Sequence, residues 1–95
     1  MQLLRPIVWN VEKNELLKKN RGVSFEEVLV AIEVGRILHI ELHPNQGKYR
    51  GQMRMVVEIR GYAYLVPFVV DAGRGHTFLK TIIPSREHTK LLASE

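Results

Sequence analysis

Near Gly35 the hydrophobic period of this chain changes, and that change limits the architecture more than any other feature. Before it, apolar residues recur at helical spacing; after it, they alternate. Phe25, Val28, Leu29 and Ile32 stand at i, i+3, i+4 and i+7, one face of a helix that should lie in the core. From Ile37 onward the period is two: Leu38, Ile40 and Leu42 face one way, and Ile37, His39, Glu41 and His43 the other. A chain that is helical first and stranded second predicts an α+β domain, its helices packed on one face of an antiparallel sheet.

The local signals refine that outline. Ile7-Val8-Trp9 reads as a short first strand. Asn10 offers an N-cap, and Val11 to Asn20 is rich in good helix formers. Gly22 is placed to end this helix in a left-handed cap. Ser24-Phe25-Glu26-Glu27 is a capping box, with Ser24 bonding the amide of Glu27 and the Glu27 carboxylate reaching back. Gly35 closes the second helix. Four strands are expected over residues 37–43, 53–60, 62–70 and 77–83, the last stopped by Pro84, followed by a short C-terminal helix from Arg86 to about Leu92. In the second of these, Met53, Met55, Val57 and Ile59 give a dry face opposite Arg54, Val56, Glu58 and Arg60. Arg60-Gly61 reads as a hairpin turn. Tyr62 to Val70 is apolar on both faces and therefore central or covered by a helix, and Pro67 within it requires a bulge or an open ladder position. Phe25, Val28, Ile32, Met55, Val57, Ile59 and Leu65 form the expected core.

With 95 residues, the chain is expected to be one domain over residues 1–95. It has no cysteine, which removes disulfides, thiolate zinc sites and a cysteine nucleophile. The longest apolar stretch, Tyr62 to Val70, falls well short of the roughly 20 residues of a membrane span. Met1 to Pro6 lacks a signal-peptide core. A cytoplasmic protein with no membrane partner is expected. His39, Glu41 and His43 share a strand face, but their ends lie about 13 Å apart, too far for one ion. No metal and no cofactor is expected. Gly73-Arg74-Gly75 lacks the Lys-Ser/Thr ending of a phosphate loop and reads as a β-turn.

The net charge of +4 favours an anionic partner. Lys18, Lys19 and Arg21 cluster at the end of the first helix, Lys48, Tyr49 and Arg50 lie in a basic loop, and Arg54 and Arg60 share a strand face. Lys80 and Arg86 flank Pro84, and on an antiparallel sheet Arg54, Lys80 and Arg86 are within reach of convergence. Tyr49, Tyr62 and Tyr64 are candidates for stacking on a base. Cations interleaved with aromatics are the pattern of a nucleic-acid surface.

Two stretches resemble the BrnT family of bacterial type II toxins, which shares the RelE/ParE fold. The first is Trp9-Asn10-Val11-Glu12-Lys13 with Gly22-Val23-Ser24-Phe25-Glu26-Glu27. The second is Thr81-Ile82-Ile83-Pro84-Ser85-Arg86-Glu87-His88-Thr89. Arg54 and Gly61, between them, are similar to that family's strand Arg and hairpin Gly. The resemblance implies a metal-independent endoribonuclease that inhibits translation, in which the RNA 2′-hydroxyl attacks the adjacent phosphate. Arg86, Arg54 and Lys80 would then stabilise the phosphate charge, with His88 or Tyr49 as the proton donor. It further implies a cognate antitoxin, an RNA substrate and operator DNA reached through the antitoxin. Independently, the apolar Tyr62 to Val70 strand, if it were an uncovered edge, would favour an oligomer. Gln52 stands where that family often has an acid, and Lys80 is displaced by one residue. These departures keep open an inactive member of the same fold, acting as a nucleic-acid-binding or regulatory module.

Overall fold

The computed structural model describes residues 3–93. Met1 and Gln2, part of the N-terminal stretch read above, lie outside the described residues. In chain order the elements are β1 (Ile7–Trp9), α1 (Val11–Arg21), α2 (Phe25–Glu33), β2 (Ile37–Leu42), β3 (Met53–Ile59), β4 (Tyr62–Asp71), β5 (His76–Leu79), β6 (Ile83–Pro84) and α3 (Arg86–Ala93).

The helix signals act as the sequence predicts. The Asn10 side chain accepts from the Lys13 amide at 2.8 Å and starts α1. Gly22, at φ +66°, ends it with its amide on the Lys18 carbonyl. Both halves of the Ser24–Glu27 capping box are formed at the head of α2. One residue joins these helices in a way local spacing does not show. Asn14 is only 2% exposed; its Oδ1 accepts from the Phe25 amide at 2.8 Å, and its Nδ2 donates to Glu26 at 2.7 Å. The first amide of α2 has no partner within its own helix, and Asn14 of α1 supplies one. Phe25 then stacks on Trp9, ring centroids 5.6 Å apart, which ties both helices to β1.

The sheet runs β1-β5-β4-β3-β2, with β6 paired to β4. It is α+β as expected but mixed, because β1 joins it parallel to β5, Ile7 opposite Thr77 and Trp9 opposite Leu79. Arg60 and Gly61, at φ +52° and +76°, make the two-residue turn between β3 and β4. Both central positions of a type I′ turn need positive φ, and Gly61 meets that without strain. Met55, Val57, Ile59, Val66, Phe68 and Leu79 meet Phe25, Val28 and Leu17 in one buried cluster.

Three expectations need correction. The strand expected over 77–83 is two strands. Residues 80–82 cross between β5 and β6, and Pro67 of β4 faces that gap. Its carbonyl accepts from the Lys80 amide at 2.8 Å, so the amide proton that proline lacks is missed at an open ladder position, as Pro67 itself required. In β2 the pairing slips between Ile37 and His39, so that Ile37 opposes Val57 and His39 opposes Val56. The bulge changes the phase: Ile37 and Ile40 pack against the core, while Leu38 is 45% and Leu42 61% exposed. Helices cover both faces of the sheet. The cavity between Leu38, His39 and Val56 on one side and His88, Leu91 and Leu92 on the other places α3 opposite α2. Val56 is buried there, and Leu65, expected in the main core, faces the same way as its register partner Val56. By contrast β4 is central, as its two apolar faces predict: it pairs with β3 on one side and with β5 and β6 on the other.

Among the described residues no helix is long and apolar enough to cross a membrane. The Asn14 joint yields a direct expectation. Asn14→Ala leaves the buried Phe25 amide without an acceptor and should cost about 1–3 kcal/mol. That cost should appear as a lower urea midpoint at unchanged slope. An Asn14→Ala protein of wild-type stability would show that the two helices are held by packing alone.

Candidate nucleic-acid interface

At the β3–β4 turn, cations meet partners. Arg60 pairs with the Glu27 carboxylate and donates to the Gly22 carbonyl at 2.9 Å. Arg36 lies 3.4 Å from Glu58. Arg21 donates to the Ile82 carbonyl and so fixes the crossover to α1. Lys18 donates to Glu15 at 3.1 Å and lies 3.9 Å from Glu26; the Glu15 bond raises its pKa above the ordinary lysine value. The Asn14 amide holds the Glu26 carboxyl below the usual range.

The opposite end carries the β2–β3 loop, residues 43–52, and the β4–β5 turn, residues 72–75. The registers require this, since Leu42 opposes Met53, Met53 opposes Phe68, and Phe68 opposes Leu79. The loop is built rather than slack. Gln46 spans its neck, its Nε2 donating to the His43 and Gln52 carbonyls at 2.8 and 3.0 Å and its Oε1 accepting from the Gly51 amide at 3.0 Å. Asn45 closes a turn inside, accepting from the Lys48 amide. The Tyr49 ring packs 4.3 Å from the His43 ring, and Lys48 Nζ sits 5.3 Å from the Tyr49 centroid. Tyr49 is 37% exposed, and Lys48 and Arg50 are exposed beside it. No acidic side chain meets Lys48 or Arg50 among the described residues. A rigid loop thus presents a ring and two cations to solvent.

The four residues grouped as a cleavage site share no hydrogen bond or ion pair. Arg54 is held by Glu41 through two guanidinium nitrogens, one at 3.1 Å. Glu41 also contacts His39 at 3.0 Å, so the strand face weighed for metal is an ion-pair row. Among the described residues no group of His, Asp or Glu is arranged to hold a metal. Lys80 lies with its Nζ 5.6 Å from the Phe78 centroid, toward the β4–β5 turn. His88 is fastened to the head of its own helix, its Nδ1 2.6 Å from Ser85 Oγ, which also accepts the His88 amide. Arg86 is exposed in the first turn of α3, which begins where the Ser85 amide bonds Ala63, near the paired end. Lys19 is exposed on α1. The Tyr62 and Tyr64 rings pack against each other at a tilt, centroids 5.4 Å apart, on the α2 side of the sheet.

The Arg54 pair carries a pH signature. Arg54, the largest influence, holds the Glu41 carboxyl below its ordinary value, with His39 adding to the effect. A lowered folded-state pKa stabilises the fold above the unfolded value and is lost as pH falls through the lowered one. The stability difference between wild type and Glu41→Gln should therefore shrink as the pH falls below about 4. Urea titrations across that range would show it; a difference independent of pH would mean the pair is solvated.

No family model matches the chain, and no solved structure matches it significantly. A search of characterised proteins finds large ribosomal subunit protein eL21 of Archaeoglobus fulgidus, 33% identical over 78 residues, which cover 76% of this chain and 75% of the relative. That finding overturns the resemblance to BrnT toxins, and with it the translation-inhibiting endoribonuclease, the inactive toxin relative, the antitoxin and the operator DNA. The structure explains why the resembling residues misled. Asn10, Ser24 and Glu27 are helix caps, Trp9 and Phe25 are a packing pair, and Ser85 and Thr89 anchor α3 to β4. Such residues carry a fold rather than an activity. The chain belongs to the eL21 family of large ribosomal subunit proteins.

Proposed function

We propose that this chain is a component of the large ribosomal subunit that binds ribosomal RNA through the β2–β3 loop end of its sheet, and that it works in the cytoplasm as one domain. The observation that carries the reading is the exposed Lys48-Tyr49-Arg50 loop, braced by Gln46 and free of acidic partners. It stands on a chain whose relative is a large-subunit protein. Phosphates dominate RNA affinity, and a cation already paired with a carboxylate has less to offer them. Lys48 and Arg50 are available; Lys18, Arg21, Arg54 and Arg60 are engaged in the fold. Tyr49 offers a face for an unstacked base. Lys19, Lys80 and Arg86 are exposed and would serve as additional phosphate contacts. This reading asks no catalysis of Arg54, Lys80, Arg86 or His88.

The test is the salt dependence of binding to purified large-subunit ribosomal RNA. Each lost phosphate contact lowers the slope of log affinity against log salt by about 0.7 to 0.9. Lys48→Gln combined with Arg50→Gln should lower it by about 1.5. The Lys18→Gln variant should leave the slope unchanged. Equal slopes for wild type and the double variant would remove the loop from the interface.

A further inference from the structure

α3 covers only part of its side of the sheet. Beyond it, β4 and β5 leave Val69 and Phe78 paired on the open face, with Val8 of β1 opposite Phe78. Val69, Asp71, Arg74, His76, Phe78 and Lys80 line a cavity of about 350 Å³ there, at the same end of the sheet as the β2–β3 loop. Its floor is aromatic. The Phe78 ring has the His76 ring 6.5 Å away and Lys80 Nζ over it, 5.6 Å from its centroid. Its rim is cationic: Arg74 stands 78% exposed, its Nε 3.6 Å from Asp71, the one carboxylate in the cavity wall. Asp71 also accepts from the Arg74 amide at 3.1 Å, which fixes the turn and the rim together.

We propose that this cavity holds one unstacked base of single-stranded RNA, laid on Phe78, with a flanking phosphate on Lys80. The inference rests on the ribosomal-RNA reading and adds a mode of recognition to it. A partly exposed aromatic ring with a lysine ammonium beside it suits a base face and its backbone. In an A-form duplex the base faces are buried in the stack, so only an extruded or single-stranded base enters a recess of this size. A side-chain carboxylate at the wall can accept from a base N–H.

Two probes decide it: a single-stranded RNA dodecamer carrying 2-aminopurine, and the duplex of the same sequence. Wild type should bind the single strand more tightly and quench its fluorescence. Phe78→Leu keeps an apolar side chain on the strand and should weaken single-strand binding about 5- to 150-fold, the loss expected for one stacked base, without changing duplex binding. Phe78→Trp should retain it. Lys80→Gln, at an exposed position, should lower the single-strand salt slope by about 0.7. Unchanged single-strand binding by Phe78→Leu, or a wild type that does not prefer the single strand, overturns the proposal. Failure of the wider reading is distinguishable, because it shows as wild type that does not bind large-subunit ribosomal RNA.

Discussion

Strand β4 is hydrogen-bonded along both edges and apolar on both faces, and much of the molecule follows from that. A strand of this kind must be central and needs cover above and below. α1 and α2 supply one layer and α3 the other. Pro67 adds the finer control. With no amide proton to give, it marks the place where β5 cannot continue, and the chain leaves the sheet at Lys80 and re-enters at Ile83. That departure puts Lys80 beside Phe78, buries Ile82 in the main core, and leaves the Ile82 carbonyl for Arg21. One imino acid in a central strand thus fixes a crossover, a core contact and a cation's position.

Several of the chain's cations are consumed by the fold itself. At the β3–β4 turn, arginines and glutamates neutralise each other and join α2 to the sheet. Exposed pairs of this sort contribute little individually; their effect here is to consume cations that composition alone would count as available. At the other end Lys48, Arg50 and Lys80 have no carboxylate partner among the described residues. Those unpaired cations are the ones on which the proposed RNA contact draws. The braced loop matters equally, since a cation held in place loses less conformational freedom on binding than one on a slack segment.

What the sequence disclosed was local chemistry. The caps at Asn10 and Ser24, the left-handed Gly22, the Arg60-Gly61 turn and the alternation of β3 each depend on a few neighbouring residues, and each is found in place. What it concealed depended on partners distant in the chain. The register slip at Leu38 is set by β3, the division of β5 from β6 by Pro67, and the burial of Asn14 by the first amide of α2. The same boundary divides the site. Lys48, Tyr49 and Arg50 announced a basic loop and form one. Arg21, Arg54 and Arg60 looked equivalent to them until folding brought a carbonyl or a carboxylate within reach. Arg74, His76 and Phe78 were passed over as a turn and a strand start. Their signal was the i, i+2, i+4 alternation of His76, Phe78 and Lys80, which places a cation and two rings on one open face. The motif resemblance failed for a related reason: capping boxes and aromatic packing pairs recur wherever helices must start and dock on a sheet.

The central claim is that this chain sits on ribosomal RNA in the large subunit with its β2–β3 loop against the RNA. Ultraviolet crosslinking of intact large subunits from the source cells, followed by mass spectrometry of the RNA-linked peptides, tests it most directly. The account predicts that the chain is recovered with the subunit and that crosslinks fall on residues 43–52, centred on Tyr49. Absence of the chain from washed large subunits, or crosslinks confined to the Arg60 end of the sheet, would contradict it.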